Sequence, residues 1–405
     1  MNAGRIVVLM CVLAGAARTA QAQDASQKGT AEHDPVFEIY GFAQADAIAD
    51  FKQNDPDWYD VNRASKLPSF ANQFGRDGHF YLSARQSRFG VQTDAPADSG
   101  RVKAQFELDM FGVGADAGQT TIRLRHAWGQ WKQVGAGQTN SQFMDGDVFP
   151  NILDYWGPIG MLYFRNVQLF WRPIDGDRRV TVAIENPGAS GDAGIYADRV
   201  ELDDVRLRFP MPDITAEFRT THRFGYVKLS GVVRRIGYDD THGGPIDLSG
   251  HVTGWGINVS GSVRPSKRDV LHLQYVYGHG IENYFNDAPV DVGVRSDPSD
   301  VTRPIAGEAL PIQGIVVFLD HVWSGTWSSA AGYSRVDIRN SNGQTADAYK
   351  AGEYALVNLL ATPASHVTIG GELQWAHRRN NADGFAVGDV RLECSFRYSF
   401  SSRRP

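Results

Sequence analysis

The stretch RVKAQFELDM, residues 101 to 110, changes polarity at every step. Arg101, Lys103, Gln105, Glu107 and Asp109 alternate with Val102, Ala104, Phe106, Leu108 and Met110. Side chains along a strand point to opposite faces with a period of two, so one face of this strand meets water and the other an apolar phase. The same alternation recurs from Val36 to Phe400. It predicts sixteen strands, over 36–51, 79–93, 101–110, 120–132, 135–142, 161–172, 179–185, 214–222, 226–235, 252–264, 269–278, 313–323, 326–336, 354–361, 367–375 and 390–400. The last is the cleanest, with Val390, Leu392, Cys394, Phe396, Tyr398 and Phe400 set against Arg391, Glu393, Ser395, Arg397 and Ser399.

The connections sort by length. Short ones such as DAPADSG, QVGAG, IDGD, HRFG, RPSKRD and TPASH carry Gly, Pro and Asp turn chemistry. They alternate with long ones near 52–78, 142–160, 186–212, 237–250, 279–311 and 337–351. An even strand count, with short turns at one rim and long loops at the other, is the pattern of bacterial outer-membrane barrels. A soluble sandwich has no reason to sort its connections this way. The expected fold class is therefore all-β, a 16-stranded antiparallel transmembrane β-barrel with a pore-constricting third loop and an aqueous lumen.

The ends agree with export. Arg5, the apolar run Ile6–Ala17 and the small-residue site Ala20-Gln21-Ala22 predict a cleaved signal peptide over 1–22. Bulky Met10 before Cys11 argues against lipidation. Residues 23–35 read as a short polar leader, 36–400 as the barrel and 401–405, SSRRP, as a short tail after Phe400. Beyond the signal no apolar run is long enough for a membrane helix. Cys394 is then the one remaining cysteine, so no disulfide is available.

Composition adds little that changes this picture. The chain holds 43 Gly, 21 Phe, 15 Tyr and 9 Trp, which suit a barrel. Losing Arg5 and Arg18 with the signal takes the net charge from −6 to −8, which disfavours nucleic acid as a partner. The 11 His are scattered and no metal-ligand spacing is present, so neither a metal nor a cofactor is implied. Tyr40, Trp128, Trp171, Trp323 and Trp375 lie near strand ends and read as an interfacial girdle.

The segment VGAGQTNSQFMDGDVFPNILDYWGPIGMLYFRN, residues 134 to 166, together with ARQSRFGV (84–91) and RLRHAWGQW (123–131), resembles the DcaP-like porins. The resemblance extends through PDITAEFR (212–219) and VKLSGVVRRIGY (227–238) to the final strand. It implies trimeric, sixteen-stranded outer-membrane channels associated with uptake of small carboxylated anions. Two departures stand out: the leader is short where some members carry a long helical extension, and five residues follow the terminal Phe400.

A passive channel needs a constriction and a field within it rather than a catalyst. In porin architecture the third long loop folds inward, here about 142–160, and brings Asp145, Asp147 and Asp154. Alternation places Arg88, Arg123 and Arg125 on the lumen face opposite. Arg165 follows the loop, although Asn166 and Gln168 hold the inward parity of its strand. Gln138 and Asn140, just ahead of the loop, complete the pore-lining set. Guanidinium groups bind carboxylate in a planar fork, so an arginine wall suits organic anions. The alternative role for these arginines is ion pairing with Glu107 and Asp109, which would leave selectivity weak.

The expected function is thus an outer-membrane diffusion channel for small hydrophilic solutes, favouring carboxylated anions such as dicarboxylates or aromatic acids. Its partners would be those anions, outer-membrane lipid and lipopolysaccharide, and two further copies in a homotrimer. The competing readings are a barrel enzyme of lipase or protease type, for which no G-x-S-x-G element is present, and a soluble secreted β-protein.

Overall fold

In the computed structural model, residues 35–241, 247–300 and 303–403 are described. The expected signal peptide and nearly all of the leader lie outside them, as do the last two residues of the tail. Sixteen antiparallel strands form one closed wall. In chain order these are β1 (Val36–Asp50), β2 in two pieces (His79–Ser83 and Arg88–Ala97), β3 (Gly100–Phe111), β4 (Thr120–Trp131), β5 (Val134–Asn140), β6 (Arg165–Ile174), β7 (Arg178–Glu185) and β8 (Asp213–His222). The second half comprises β9 (Gly225–Asp240), β10 (Gly250–Val263), β11 (Asp269–His279), β12 (Pro311–Val322), β13 (Trp327–Ile338), β14 (Tyr349–Ala364), β15 (Val367–Asn380) and β16 (Ala386–Ser401). Each strand pairs with its sequence neighbour. The seam is β1 against β16, in register from Tyr40 opposite Ser401 to Asp50 opposite Arg391.

The opening stretch now has its answer. Glu107 and Asp109 on β3 point inward and are buried, while Val102 on the opposite face is exposed on the outer wall. The outer faces of β9–β12 are likewise aliphatic and aromatic, with Leu229, Ile257, Val259, Tyr275 and Val317 exposed. Among the described residues no helix is long and apolar enough to cross a membrane.

Two features depart from strict alternation. On β4 the register against β3 jumps, so Glu107 faces His126 and Leu108 faces Leu124. This β-bulge leaves Arg125 and His126 both buried and reverses the parity beyond them. Trp128 consequently turns inward, where its indole N–H donates to Gln105 at 2.9 Å. Tyr40 also faces inward and donates to Glu107 at 2.8 Å. These two do not belong to the expected girdle; Trp171 and Trp323 are exposed on the outer surface as expected.

The second departure is the interior. An open aqueous lumen was expected, yet the side lined by β9–β14 is packed. Val316 and Phe318 from β12 and Val336 from β13 meet Phe143, Met161 and Leu162 of the β5–β6 connection and Ile281, Tyr284 and Phe285 of the β11–β12 connection in one apolar core. Inward-facing aliphatics on these strands need cover from water, and two long loops supply it.

Candidate functional site

The β5–β6 connection (141–164) crosses the interior with its backbone satisfied by inward-facing side chains. Glu185 accepts from the Ser141 hydroxyl at 2.8 Å. The Phe143 carbonyl accepts from Ser230 at 2.8 Å and Asn258 at 3.1 Å, and Lys228 donates to the Met144 carbonyl at 2.6 Å. On the far wall Glu372 accepts from the N–H groups of Leu153 and Asp154 at 2.8 and 3.0 Å. Gly160 N–H donates to Ser334 at 2.9 Å. A loop buried without such partners would leave its amides unpaired at large cost.

Two further connections brace it. The β11–β12 connection runs alongside, with Tyr163 N–H donating to the Tyr284 carbonyl at 3.0 Å and Asn286 N–H to the Met161 carbonyl at 2.8 Å. From the β1–β2 connection Arg63 lies between Trp58 and Trp156, 4.2 and 4.3 Å from their ring centres, and pairs with Asp287 at 2.9 Å. One guanidinium thus ties three connections together.

Between the loop and the β1–β5 side lies a chamber of about 390 Å³, lined among others by Phe42, Arg88, Arg125, Asn140, Tyr163 and Arg397. The expected arginines divide into two groups. Arg123 pairs with Asp109 at 2.7 Å, and Arg125 with Glu107 at 2.6 Å and Asp109 at 2.9 Å. These two are neutralised by the acids of β3. Arg88 approaches Glu107 only to 3.6 Å and its Nε has no hydrogen-bond partner among the described residues. Arg165 forms no ion pair among those residues and reaches only the Tyr163 hydroxyl, at 3.3 Å.

Arg397 joins this second group without having been anticipated. It donates to Gln44 at 2.6 Å, forms no ion pair among the described residues, and stands 4.6 Å from the centre of the Phe42 ring. Arg88 stands 5.2 Å from the same ring. Tyr163, on the loop, lies beside Arg125 and Arg165, with its hydroxyl 3.2 and 3.3 Å from their guanidinium nitrogens. Burial pushes its phenol up, but the guanidiniums of Arg125, Arg165 and Arg88 outweigh burial and bring it down to about 7.

Of the loop acids, Asp147 and Asp154 border the same chamber as the arginines, whereas Asp145 does not. Asp145 is buried, accepting from Ser260 at 2.6 Å and Tyr226 at 3.1 Å. Asp154 is buried too and accepts from Tyr354 at 2.8 Å. Both serve as anchors for the loop. Asp147 alone of the three is open, its side chain 62% exposed and paired with Arg219. Gln138 donates to the Leu124 carbonyl at 2.9 Å, patching the β4 bulge, and does not line the chamber. Asn140 does line it.

Among the described residues no group of His, Cys, Asp and Glu could hold a metal ion. The arrangement is a chamber behind a pinned loop, bordered by the guanidiniums of Arg88, Arg125 and Arg397 and by the carboxyl groups of Glu107, Asp147 and Asp154.

A family model described as DcaP outer membrane protein matches residues 15–285. The crystal structure of the outer membrane channel DcaP of Acinetobacter baumannii superposes with a TM-score of 0.74 at 19% identity, over 93% of this chain and 100% of that one. An anion-selective porin from Comamonas acidovorans gives 0.56 at 9% identity, over 91% and 100%. A loop-deletion variant of the outer membrane protein OmpT of Vibrio cholerae gives 0.54 at 14%, over 91% and 100%. At these identities the likeness to solved structures is one of fold. No curated protein sequence matches the chain.

Proposed function

Since the chain belongs to the DcaP outer membrane protein family, a family of porin-type channels of the bacterial outer membrane, we propose that it passes small hydrophilic solutes and favours carboxylated anions. Dicarboxylates and aromatic acids are the expected class. The observation that carries this reading is the split among the arginines. Arg123 and Arg125 are spent on Asp109 and Glu107, whereas Arg165 and Arg397 have no acid partner among the described residues and Arg88 is held loosely. Arg88 and Arg397 border the chamber and offer planar forks to a carboxylate, Phe42 beneath both offers a surface to an aromatic acid, and Arg165 adds positive charge from beside Tyr163.

In this reading the β5–β6 connection is the constriction, and the protein acts as a homotrimer. Planar-bilayer recording under a salt gradient tests all three. Expected are conductance steps in threes, an anion-directed reversal potential, and block by succinate or phthalate. Arg165→Gln with Arg397→Gln should abolish the preference and the block while leaving conductance. An unchanged reversal potential in that double variant would overturn the anion reading.

A further inference from the structure

The outer wall carries a groove that the pore does not use. It is about 340 Å³ and lies across β9–β12, bordered by Val227, Val259, Val263, Leu273, Tyr275 and Ile315. Its origin is Gly261, which takes an outward position on β10 with Val227 opposite on one side and Leu273 on the other. A side chain there is excluded, since a Cβ would lie 2.3 Å from the Tyr226 carbonyl oxygen. The notch is therefore fixed by the backbone. It begins at the short-turn rim, where Val263 ends its strand, and climbs past Val259. Four residues at about 3.4 Å each make roughly 14 Å along the strand, or about 10 Å along the normal at a strand tilt of about 40°, within the roughly 15 Å of half a hydrocarbon core. The groove stays within one leaflet.

At its foot sit four exposed cations on two adjacent turns: Arg223 on β8–β9, and Arg264, Lys267 and Arg268 on β10–β11. The turns are joined by Arg264 N–H donating to the Phe224 carbonyl at 2.8 Å. None of the four forms an ion pair among the described residues. Asp269, the acid beside Arg268, is engaged by Ser266 and by His321. Exposed Phe224, Trp323 and Trp327 flank the cluster at the level where aromatic side chains sit in a membrane interface. Short turns face the periplasm in outer-membrane barrels.

We propose that this groove and cluster form a binding site for an anionic phospholipid of the periplasmic leaflet. Its phosphate-bearing headgroup lies among Arg223, Arg264, Lys267 and Arg268, and one acyl chain fills the notch over Gly261. Four cations without an ion pair among the described residues favour a headgroup of net negative charge over a zwitterionic one, and the groove stays within the leaflet that its foot adjoins. The site rests on the barrel's orientation in the membrane and is independent of the pore's selectivity.

Native mass spectrometry of the full-length protein in detergent, with phosphatidylglycerol or phosphatidylethanolamine added, tests it. The expected result is retention of phosphatidylglycerol in preference to phosphatidylethanolamine, falling about fivefold for each of Arg223→Gln, Arg264→Gln, Lys267→Gln and Arg268→Gln. Val259→Trp, which fills the notch from a lipid-facing position, should weaken retention with all four cations in place. Heat-modifiable migration confirms that each variant is a folded barrel. Equal retention of both lipids, or of phosphatidylglycerol by the quadruple variant, would overturn the proposal. So would Val259→Cys cross-linking to a second copy, or the cations capturing only peptidoglycan fragments.

Discussion

At the scale of single residues, position on a shared face does not settle what an arginine does; its partners do. Arg125 and Arg397 both line the chamber, but Arg125 holds two buried acids and Arg397 holds none. Arg125→Ala would leave buried Glu107 with only the Tyr40 hydroxyl and Arg88 at 3.6 Å, while Asp109 keeps Arg123, and should cost about 3 kcal/mol, seen as a lower temperature of heat-modified migration. Arg397→Gln should leave that temperature unchanged and shift the reversal potential toward zero. Asp154 adds a pH dependence. Burial, with Glu372 beside it, pushes its carboxyl up to about 7 against the opposing pull of the Tyr354 hydroxyl and Arg391. A carboxyl raised above its ordinary value of about 3.9 favours the docked loop while protonated, so docking is firmest below about pH 4 and weakens progressively until pH has risen through about 7. Single-channel current should grow noisier as pH rises from about 4 to 7 and change little above that, and Asp154→Asn should remove the change.

At the scale of elements, the loop's seat is set by close backbone contact as much as by hydrogen bonds. A Cβ on Gly160 would lie 2.2 Å from the Arg335 carbonyl oxygen, and one on Gly314 2.3 Å from that of Gly160. Gly160→Ala should therefore lift the loop off β12 and β13, and the unitary conductance should rise with the barrel still folded. The strands themselves were legible, since a period of two over ten residues is insensitive to small errors. The β4 bulge was legible only in hindsight: the outward apolar residues step from Ile122 and Leu124 to Ala127, Gly129 and Trp131, a gap of three where alternation allows two. Missing that step misplaced Trp128. Arg397 was visible on the polar face of β16, but its nearness to Arg88 depends on closure of the seam with β1, which no local pattern announces. The packed interior was hidden for a related reason, because the β11–β12 connection reads as an ordinary long loop until Tyr284 and Phe285 are seen against β12.

At the scale of the whole molecule, charge on the short-turn rim is uneven. Two adjacent turns carry Arg223, Arg264, Lys267 and Arg268, while Asp98, Asp175 and Asp177 lie on other short turns. An anion leaving the chamber toward the periplasm passes near that basic cluster, and salt should screen the attraction over about 10 Å at 0.1 M. The proposed anion preference should accordingly weaken on going from 0.1 to 1 M salt, as a reversal potential corrected for activity will show. Glu372, which grips the Leu153 and Asp154 amides, lies on β15, more than two hundred residues further along the chain. The loop is made early and one end of its dock nearly last. A chain still short of its final strands has no seam and lacks the Glu372 anchor, so under the proposed function the strands that close the wall would also finish seating the constriction.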